Sequence, residues 1–300
     1  MMIPFLFFWF FQQPTAQDMP QEMVWVDRQG AVLGRVGSVQ NAIFFPEISP
    51  DGKSIAVSAR DGEPNDRDVW IHDIATGVKR VHSAAKGNDN FPVWMPDGKT
   101  IVWNSSRTGE YELFRGDALW LKLPASQYPR SISPDGKWLL YTQADKKRDL
   151  YLLNLEGEPQ PRPLFADRRD WTEVAQYSPD GRHFAFVSNR GGPFEVYVAS
   201  VADPEKWWKV SRELSNGWAG GGNGPKWRGD GKELFYMMGD AMISVEITVA
   251  ENGEIKAGAA KRLFTAPGMM GNFPDESPWV AKYDVTADGQ RFVFVRKVTR

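Results

Sequence analysis

Ser49-Pro50-Asp51-Gly52-Lys53 is the stretch that decides the fold, because it recurs along the chain. Similar pentapeptides lie at residues 95–99, 133–137 and 178–182, and weaker copies lie at 228–232 and 286–290. The aspartates at positions 51, 97, 135, 180, 230 and 288 are thus separated by 46, 38, 45, 50 and 58 residues. Self-similarity at this period indicates a repeat architecture.

Each copy has the chemistry of a tight turn. Proline presets the backbone for the second position of a type I turn, and aspartate suits the third position, where it can bond nearby amides. Glycine accepts the left-handed conformation that lets the next strand pair back. Each copy is therefore predicted to join two strands of a hairpin. The turn explains each aspartate locally, better than an acidic cluster does.

Every turn except the last is followed by the signals of three further strands. A short apolar run such as Phe184–Val187 comes first and predicts a strand buried on both faces. A strand that opens with an acid follows, as in Asp68-Val69-Trp70-Ile71, and then a second turn and a fourth strand such as Val78–Val81. Four strands per unit at this period predict an all-β propeller with antiparallel blades. No helix of three turns is predicted.

The two ends of the chain predict how the ring closes. Only 12 residues follow Asp288, enough for one more strand, so the last blade lacks its outer strands. Two unassigned strands, 22–27 and 32–36, lie upstream of the first unit. They would complete the last blade and so remove open sheet edges. We expect one six-bladed domain over residues 22–300. Its approximate blades are 42–83, 90–123, 128–166, 172–212, 222–264, and 280–300 together with 22–37.

Residues 1–17 are interpreted as a signal peptide or a disordered leader. Met1–Phe11 is almost wholly apolar and a polar stretch with Ala16 follows, as in an export signal, although no Lys or Arg precedes Arg28. This predicts a periplasmic or extracytoplasmic protein, with a cytoplasmic location as the alternative. The apolar run is too short to span a bilayer, and no other stretch is long enough, so stable membrane insertion is not expected.

The composition excludes several classes of function. The 300 residues are 42% hydrophobic and 25% charged, as in soluble globular proteins. A net charge of -2 argues against a nucleic-acid-binding protein, which would carry a basic excess. The chain has no cysteine, which excludes disulfides, thiolate metal sites and a cysteine nucleophile.

Catalytic and metal-binding motifs are not evident. There is no Gly-x-Ser-x-Gly elbow. The three histidines, His72, His82 and His183, lie in separate strands without ligand spacing, so we interpret them as unrelated surface or edge residues. The acidic stretch 61–68 does not match a calcium loop and is interpreted as a solvated loop. We therefore predict no catalytic residue, no metal and no cofactor.

One face of the predicted ring carries the candidate binding residues. The connections between strands two and three, and between blades, emerge on that face and differ strongly among units. Arginine and aromatic residues are the usual anchors of interfaces. Trp171, Trp218 and Trp279 could instead pack between blades. The candidates are Arg60, Asp89, Asn90, Arg107, Asp170, Trp171, Arg190, Trp218, Asn223 and Trp279.

The repeated Ser-Pro-Asp-Gly-Lys turns, followed by strands such as Asp149-Leu150-Tyr151-Leu152, resemble the repeats of the TolB-like propeller family. Segments such as Lys232–Tyr236 are also similar to WD-like propeller regions attached to bacterial Ser/Thr kinases, although this chain has no kinase motif. The resemblance implies a non-catalytic module that binds a protein or peptide partner through the loop-rich face and channel mouth. The alternatives are a propeller enzyme, such as a carbohydrate lyase or hydrolase or a peptidase-associated domain, and a ligand sensor that works with a separate signalling chain.

Overall fold

The fold consists of β-strands arranged in repeated sheets. A computed structural model of the protein describes residues 19–61, 66–83, 85–145, 147–166, 169–212, 222–266 and 282–298, and these residues form strands and no α-helix. In the same residues no helix is long and apolar enough to cross a membrane. The all-β prediction is therefore confirmed.

Blades two to five are separate antiparallel sheets whose strands follow chain order, except that in blade five the last strand pairs with the third strand of that blade. Blades one and six share a seven-stranded sheet, in the order β23-β24-β1-β2-β3-β4-β5. The strands of that sheet are β1 (Pro20–Asp27), β2 (Val32–Ile48), β3 (Ser54–Arg60), β4 (Asp68–Asp73), β5 (Lys79–Val81), β23 (Tyr283–Val285) and β24 (Arg291–Lys297).

The remaining strands build the four middle blades. Blade two has β6 (Asp89–Trp94), β7 (Ile101–Ser105), β8 (Glu112–Arg115) and β9 (Ala118–Leu121). Blade three has β10 (Ser126–Ile132), β11 (Trp138–Ala144), β12 (Arg148–Asn154) and β13 (Pro161–Pro163). Blade four has β14 (Thr172–Tyr177), β15 (His183–Ser188), β16 (Glu195–Ser200) and β17 (Trp207–Lys209). Blade five has β18 (Asn223–Trp227), β19 (Glu233–Met238), β20 (Ala241–Val249), β21 (Ile255–Ala257) and β22 (Lys261–Thr265).

The first strands of the chain complete the last blade, as the sequence predicts. β1 lies between β24 and the first half of β2, with Val24 opposite both Phe294 and Arg35. The 17-residue strand β2 then continues as the inner strand of blade one, where its second half pairs with β3. One strand therefore serves two blades, and the ring has no free edge at the junction between blades six and one.

The recurring turns have the predicted geometry. In the first copy the Gly52 N–H donates to the Ser49 carbonyl over 2.8 Å, and the Asp51 carboxylate accepts from the Ser49 hydroxyl at 2.7 Å and from the Lys53 amide at 3.1 Å. These hydrogen bonds hold the pKa of Asp51 below its ordinary value. The six glycines have φ between +64° and +73°, the left-handed region that favours glycine. The aspartates are turn residues.

The hydrophobic core lies between adjacent blades. Leu140 and Leu152 of blade three, for example, pack with Phe184 and Phe186 of blade four, and all four side chains are buried. Second strands such as β15 are buried along their whole length, because a blade covers each of their faces. Large aromatic side chains fill the widening space between the wedge-shaped sheets.

The two ends of the ring differ. The Ser-Pro-Asp-Gly turns lie at one end, which we call the turn face. The connections between strands two and three and between blades lie at the other end, which we call the loop face. Register places Asp89, Ser105 and Glu112 in one row at the loop face of blade two. This arrangement is the predicted one.

The histidines differ from the sequence interpretation. His72 and His183 are buried, so placing them at the surface was wrong. His72 Nδ1 accepts the Ser38 N–H over 3.1 Å, and its Nε2 lies 2.8 Å from the Gln40 side-chain oxygen. Burial lowers the pKa of His72 to about 4, with a smaller effect of Lys79. This residue holds β2 against β4 as a neutral imidazole.

Candidate functional site

The inner strands turn selected side chains toward the central channel at the loop face. Phe45, Phe91 and Val174 have φ of 52°, 54° and 51°, and Gly224 has φ of 61°. Each residue lies within an interruption of the pairing between the inner strand and its neighbour, which identifies a β-bulge. A bulge redirects a side chain. Four blades thus carry the same local distortion at the channel.

Aromatic side chains from three consecutive blades meet there. The rings of Phe45 and Phe91 are stacked with centroids 3.7 Å apart, and Tyr128 of β10 meets Phe91 edge-on at 5.3 Å. We call these three residues the aromatic arc. All three are half-buried, so each keeps part of its ring available to a partner.

The channel is narrow between the inner strands beside the aromatic arc. The cavity bounded by Phe45, Phe91, Arg130, Val174 and Lys226 has a volume of about 60 Å³. That space holds about two water molecules. A peptide or a sugar ring does not fit into this cavity.

A buried carboxylate joins two arginines beside the aromatic arc. The Glu173 carboxylate accepts from Arg148 at 3.0 Å and from Arg130 at 3.4 Å. The Arg130 guanidinium lies 4.8 Å from the centre of the Phe91 ring, and that of Arg148 lies 5.3 Å from the centre of the Tyr128 ring. Burial lowers the pKa of Arg130 to about 10, partly offset by Glu173, so the arginine stays charged at neutral pH. The three groups carry one net positive charge.

Three predicted residues come together at the loop face of blade two. Asp89 is fully buried, and its carboxylate accepts from the Ser83 hydroxyl and, at 2.8 Å, from Arg107. Arg107 stacks over the Phe114 ring at 4.4 Å. Burial raises the pKa of Asp89, and hydrogen bonds from serine and arginine side chains oppose this. Asn90 is also buried. Because Asp89 is buried and bonded to Arg107, this pair serves mainly to hold the loop in place.

Three more predicted residues lie at the loop face of blade four. Arg190 is enclosed by aromatic rings of blades three and four, at 4.7 Å from Phe165 and 4.6 Å from Trp207. Trp171 is 36% exposed and meets Phe194 edge-on at 6.4 Å. Asp170 is half-buried, and its carbonyl accepts from Lys147. Trp171 is therefore the member of this group that exposes an aromatic ring to solvent.

The other predicted residues are not brought into one cluster. Arg60 ends β3 opposite Asn41, and Asn223 begins β18 opposite Met237. Both are half-buried and lie at the loop face of separate blades. Trp218 and Trp279 lie outside the described residues, as do the leader and residues 62–65 of the acidic stretch.

Sequence reasoning missed the aromatic arc. A signal was available, because an aromatic residue directly precedes proline ahead of three of the turns, at Phe45-Pro46, Phe91-Pro92 and Tyr128-Pro129. Proline cannot donate to a strand ladder and is typical of bulges. An aromatic–proline pair repeated four or five residues ahead of the turn therefore predicts a bulged inner strand.

A second charged group closes the channel toward the turn face. Lys226 of β18 lies 2.7 Å from the Glu47 carboxylate of β2 and 3.2 Å from that of Asp284 of β23. Desolvation raises the pKa of Glu47 to about 7, opposed by Lys226 and assisted by Asp284. Three blades are thereby tied together at the axis.

Known proteins share both sequence segments and the fold. No protein-family model matches the chain. A 92-residue segment is 33% identical to the Tol-Pal system protein TolB of Alcanivorax borkumensis and covers 30% of this chain and 20% of that protein. Over 161 residues the chain is 38% identical to an uncharacterized protein of Agrobacterium fabrum, covering 46% of this chain and 52% of that one. The chain thus spans a fifth and about half of these two relatives.

Solved structures share the propeller at lower identity. A protein assigned as TolB from Agrobacterium tumefaciens superposes with a TM-score of 0.66 at 19% identity, over 94% of this chain and 99% of that one. An oligogalacturonate lyase in complex with manganese superposes with a TM-score of 0.51 at 12% identity, over 93% and 98% of the two chains. At these identities the likeness concerns the fold alone, and enzymes are among the neighbours.

Proposed function

We propose that this distant TolB homologue, a TolB-like β-propeller, is a non-catalytic module that docks a protein or peptide partner on its loop face. The observation that carries the proposal is the aromatic arc. Phe45, Phe91 and Tyr128 come from three blades, are half-buried, and lie beside a channel cavity of only about 60 Å³. Aromatic and arginine side chains in partly buried clusters are the usual anchors of binding surfaces.

Backbone strain supports a role in recognition. A left-handed conformation costs a non-glycine residue about 1–2 kcal/mol, and Phe45 and Phe91 both adopt it. Strained residues of this kind cluster at binding sites, where the surrounding structure holds them. The aromatic rings gain a fixed orientation toward a partner in exchange for that strain.

The charged groups favour binding over catalysis. Glu173 and Asp89, two buried carboxylates at the loop face, each accept hydrogen bonds from arginine, an arrangement that fixes the surrounding loops. A substrate ring would also have to enter a channel with about 60 Å³ of space. The enzyme neighbours keep the carbohydrate-processing alternative open to test.

A protein is the partner class that the relatives favour. The Alcanivorax borkumensis relative is named as part of the Tol-Pal system, which supports a partner that is itself a protein.

The apolar run Met1–Phe11 supports an extracytoplasmic location, as in the periplasm. Fractionation of cells that express the full chain tests this location: recovery in the cytoplasm alone would contradict it.

Partner capture with a mouth variant tests the proposal. The variant Phe91→Ala with Tyr128→Ala removes two rings of the aromatic arc. With an extract of the source cells, we expect it to capture the wild-type partner about 10-fold less, the effect of losing a binding hot spot. Leu119→Ala, at a residue that is 45% exposed on the outer strand β9, is the matched control and should capture normally.

Two results would contradict the proposed function. One is equal capture by wild type and by a mouth variant that still unfolds cooperatively at a similar temperature. The other is turnover of a glycan or peptide panel by the wild type that disappears in Asp170→Asn, which would establish an enzyme. Capture lost in both the mouth variant and the Leu119→Ala control would place the interface elsewhere.

A further inference from the structure

Blade five carries an extension that the other described blades lack. Strand β20 has nine residues, and only its first six, Ala241–Glu246, pair with β19. Ile247–Val249 continue beyond the turn face and pair with β21. We call this hairpin, residues 247–257, the arm. The long spacing of 58 residues between Asp230 and Asp288 reflects it.

The arm is a rigid part of the molecule. Ile247 and Ile255 are buried in the core shared by blades four and five. At the tip the Gly253 N–H donates to the Ala250 carbonyl and the Ala250 N–H donates to the Glu254 carbonyl, both over 2.9 Å. The Asn252 side chain accepts the Glu254 amide at 3.0 Å. The arm therefore stands at a fixed distance from blade four.

A cleft of about 690 Å³ lies between the arm tip and the turns of blade four. This volume falls within the range of about 300–1,000 Å³ that is typical of small-molecule sites. The cleft opens on the turn face, away from the aromatic arc. The proposed binding of a protein at the loop face makes no use of it.

One side of the cleft offers an aromatic platform. Trp208 of β17 is half-buried, and its ring meets the buried His183 at 6.4 Å, edge to face. His183 Nε2 lies 3.3 Å from the carbonyl oxygen of Gly253 in the arm, so the platform and the arm are connected. A tryptophan fixed in this way presents a flat apolar surface beside polar groups.

The rim of the cleft is polar but balanced in charge. Arg182 and Lys206 contribute two positive charges, and Asp203 and Glu254 contribute two negative charges. Lys206 lies 3.9 Å from Asp203. A phosphate-bearing ligand such as a nucleotide would meet both acids, whereas a neutral ligand rich in hydroxyl groups could bond to all four groups and to Asn252.

We propose that this cleft binds a neutral oligosaccharide, with the apolar face of one sugar ring stacked on Trp208 and its hydroxyls bonded to the rim. The volume accommodates more than one sugar unit, and the platform with its balanced polar rim matches a ring that is apolar on its faces and polar at its edge. The proposal is independent of the proposed function because it concerns the opposite face.

Calorimetric titration of the full chain tests this site. The probes are cellotriose, maltotriose and the neutral N-acetylated trimer triacetylchitotriose, with trigalacturonate as the anionic counterpart. We expect at least one neutral trisaccharide to bind with Kd of about 1 mM or tighter, and Trp208→Ala to weaken that binding at least about 10-fold. Trp207→Ala is the matched control and should bind normally, because the neighbouring tryptophan on β17 faces Tyr197 and Arg190 instead.

A second variant keeps the test decisive if Trp208→Ala fails to fold. Arg182 is exposed, so Arg182→Ala leaves the core intact and should weaken binding several-fold. The proposal is overturned if none of the three neutral trisaccharides binds at about 10 mM or if trigalacturonate binds more tightly than all of them. Unchanged binding in a folded Trp208→Ala variant, or in Arg182→Ala when Trp208→Ala does not fold, would also overturn it.

Discussion

Phe45, Phe91 and Val174 show how single residues shape the channel mouth. Each adopts a left-handed backbone that glycine would accept without strain, and Gly224 occupies the equivalent place in blade five. Glycine, however, offers no side chain to a partner. The aromatic rings at two of these positions therefore indicate that the side chain, and not the bulge alone, matters at the mouth.

Glu47 makes the stability of the protein depend on pH. Burial raises its pKa from 4.5 to about 7, so the folded protein holds this proton more tightly than the unfolded chain does. The resulting stabilisation is present in full below the unfolded pKa and is lost as the pH rises through 7. We expect wild type to lose about 1–3 kcal/mol more than Glu47→Gln between about pH 5 and pH 8, since the side chain keeps 23% exposure to water.

Urea unfolding of the two proteins at several pH values measures this difference. Subtracting the profiles isolates Glu47 from Asp68, whose pKa desolvation raises to about 6, and from His72, which acts in the opposite direction. Parallel profiles for wild type and Glu47→Gln would show that the carboxylate titrates normally and that the charged group around Lys226 is not desolvated.

Residue types at the site could be predicted from the sequence, but their roles could not. Arg107 and Arg190 follow second strands, which places them at the loop face, as expected. Which groups these arginines contact depends on residues distant in the sequence. Arg190, for example, stacks on Phe165, which belongs to the preceding blade. A repeat pattern gives the position of a residue within its blade and says nothing about which side chain of the next blade it meets.

At the scale of the element, the turn is the best-predicted feature. Its geometry follows from four consecutive residues, because proline, aspartate and glycine each set their own part of the backbone. Ser133-Pro134-Asp135-Gly136 repeats the same contacts, with the Gly136 N–H donating to the Ser133 carbonyl at 2.8 Å. Local chemistry decides a local structure, so nothing distant is needed.

Substitution of Gly52 measures the cost of the turn. Its φ is +69° and no atom lies within 4 Å of an added Cβ, so only backbone strain opposes a side chain. We expect Gly52→Ala to lower the free energy of unfolding by about 1 kcal/mol and Gly52→Asn to lower it less, because asparagine tolerates this conformation. Denaturant unfolding checks both. Equal stability of Gly52→Ala and wild type would argue against a left-handed turn.

Two elements differ from what the repeat pattern predicts. β2 is a single strand from Val32 to Ile48, where the sequence suggests two strands. Its pairing with β1 shifts register at residues 37–39, beginning with Gly37 (φ +72°), and resumes at Gln40. The arm of blade five is visible in the sequence only as a long spacing. Both depend on packing between blades: Ile247 and Ile255 become structured by being buried against blade four.

At the scale of the molecule, closure joins residues that are far apart in the chain. Arg296 of β24 donates to Glu22 of β1 at 2.9 Å, and Arg28 pairs with Glu233 of blade five at 2.7 Å. At the axis, Lys226 connects blade five with blades one and six. The loop face and its aromatic arc exist only if these contacts hold the six blades in a ring.

A disulfide between β1 and β24 tests this closure most directly, because the chain has no cysteine of its own. Glu22 and Arg296 lie directly opposite each other in adjacent strands. Cysteines at such positions are close enough to bridge. We predict that Glu22→Cys with Arg296→Cys oxidises within one chain and gains about 2–4 kcal/mol over its reduced form. The control pair Glu22→Cys with Glu251→Cys should remain reduced. Failure of the first pair to form an intramolecular bridge, or equal bridging by the control, would contradict a ring closed by its own amino terminus.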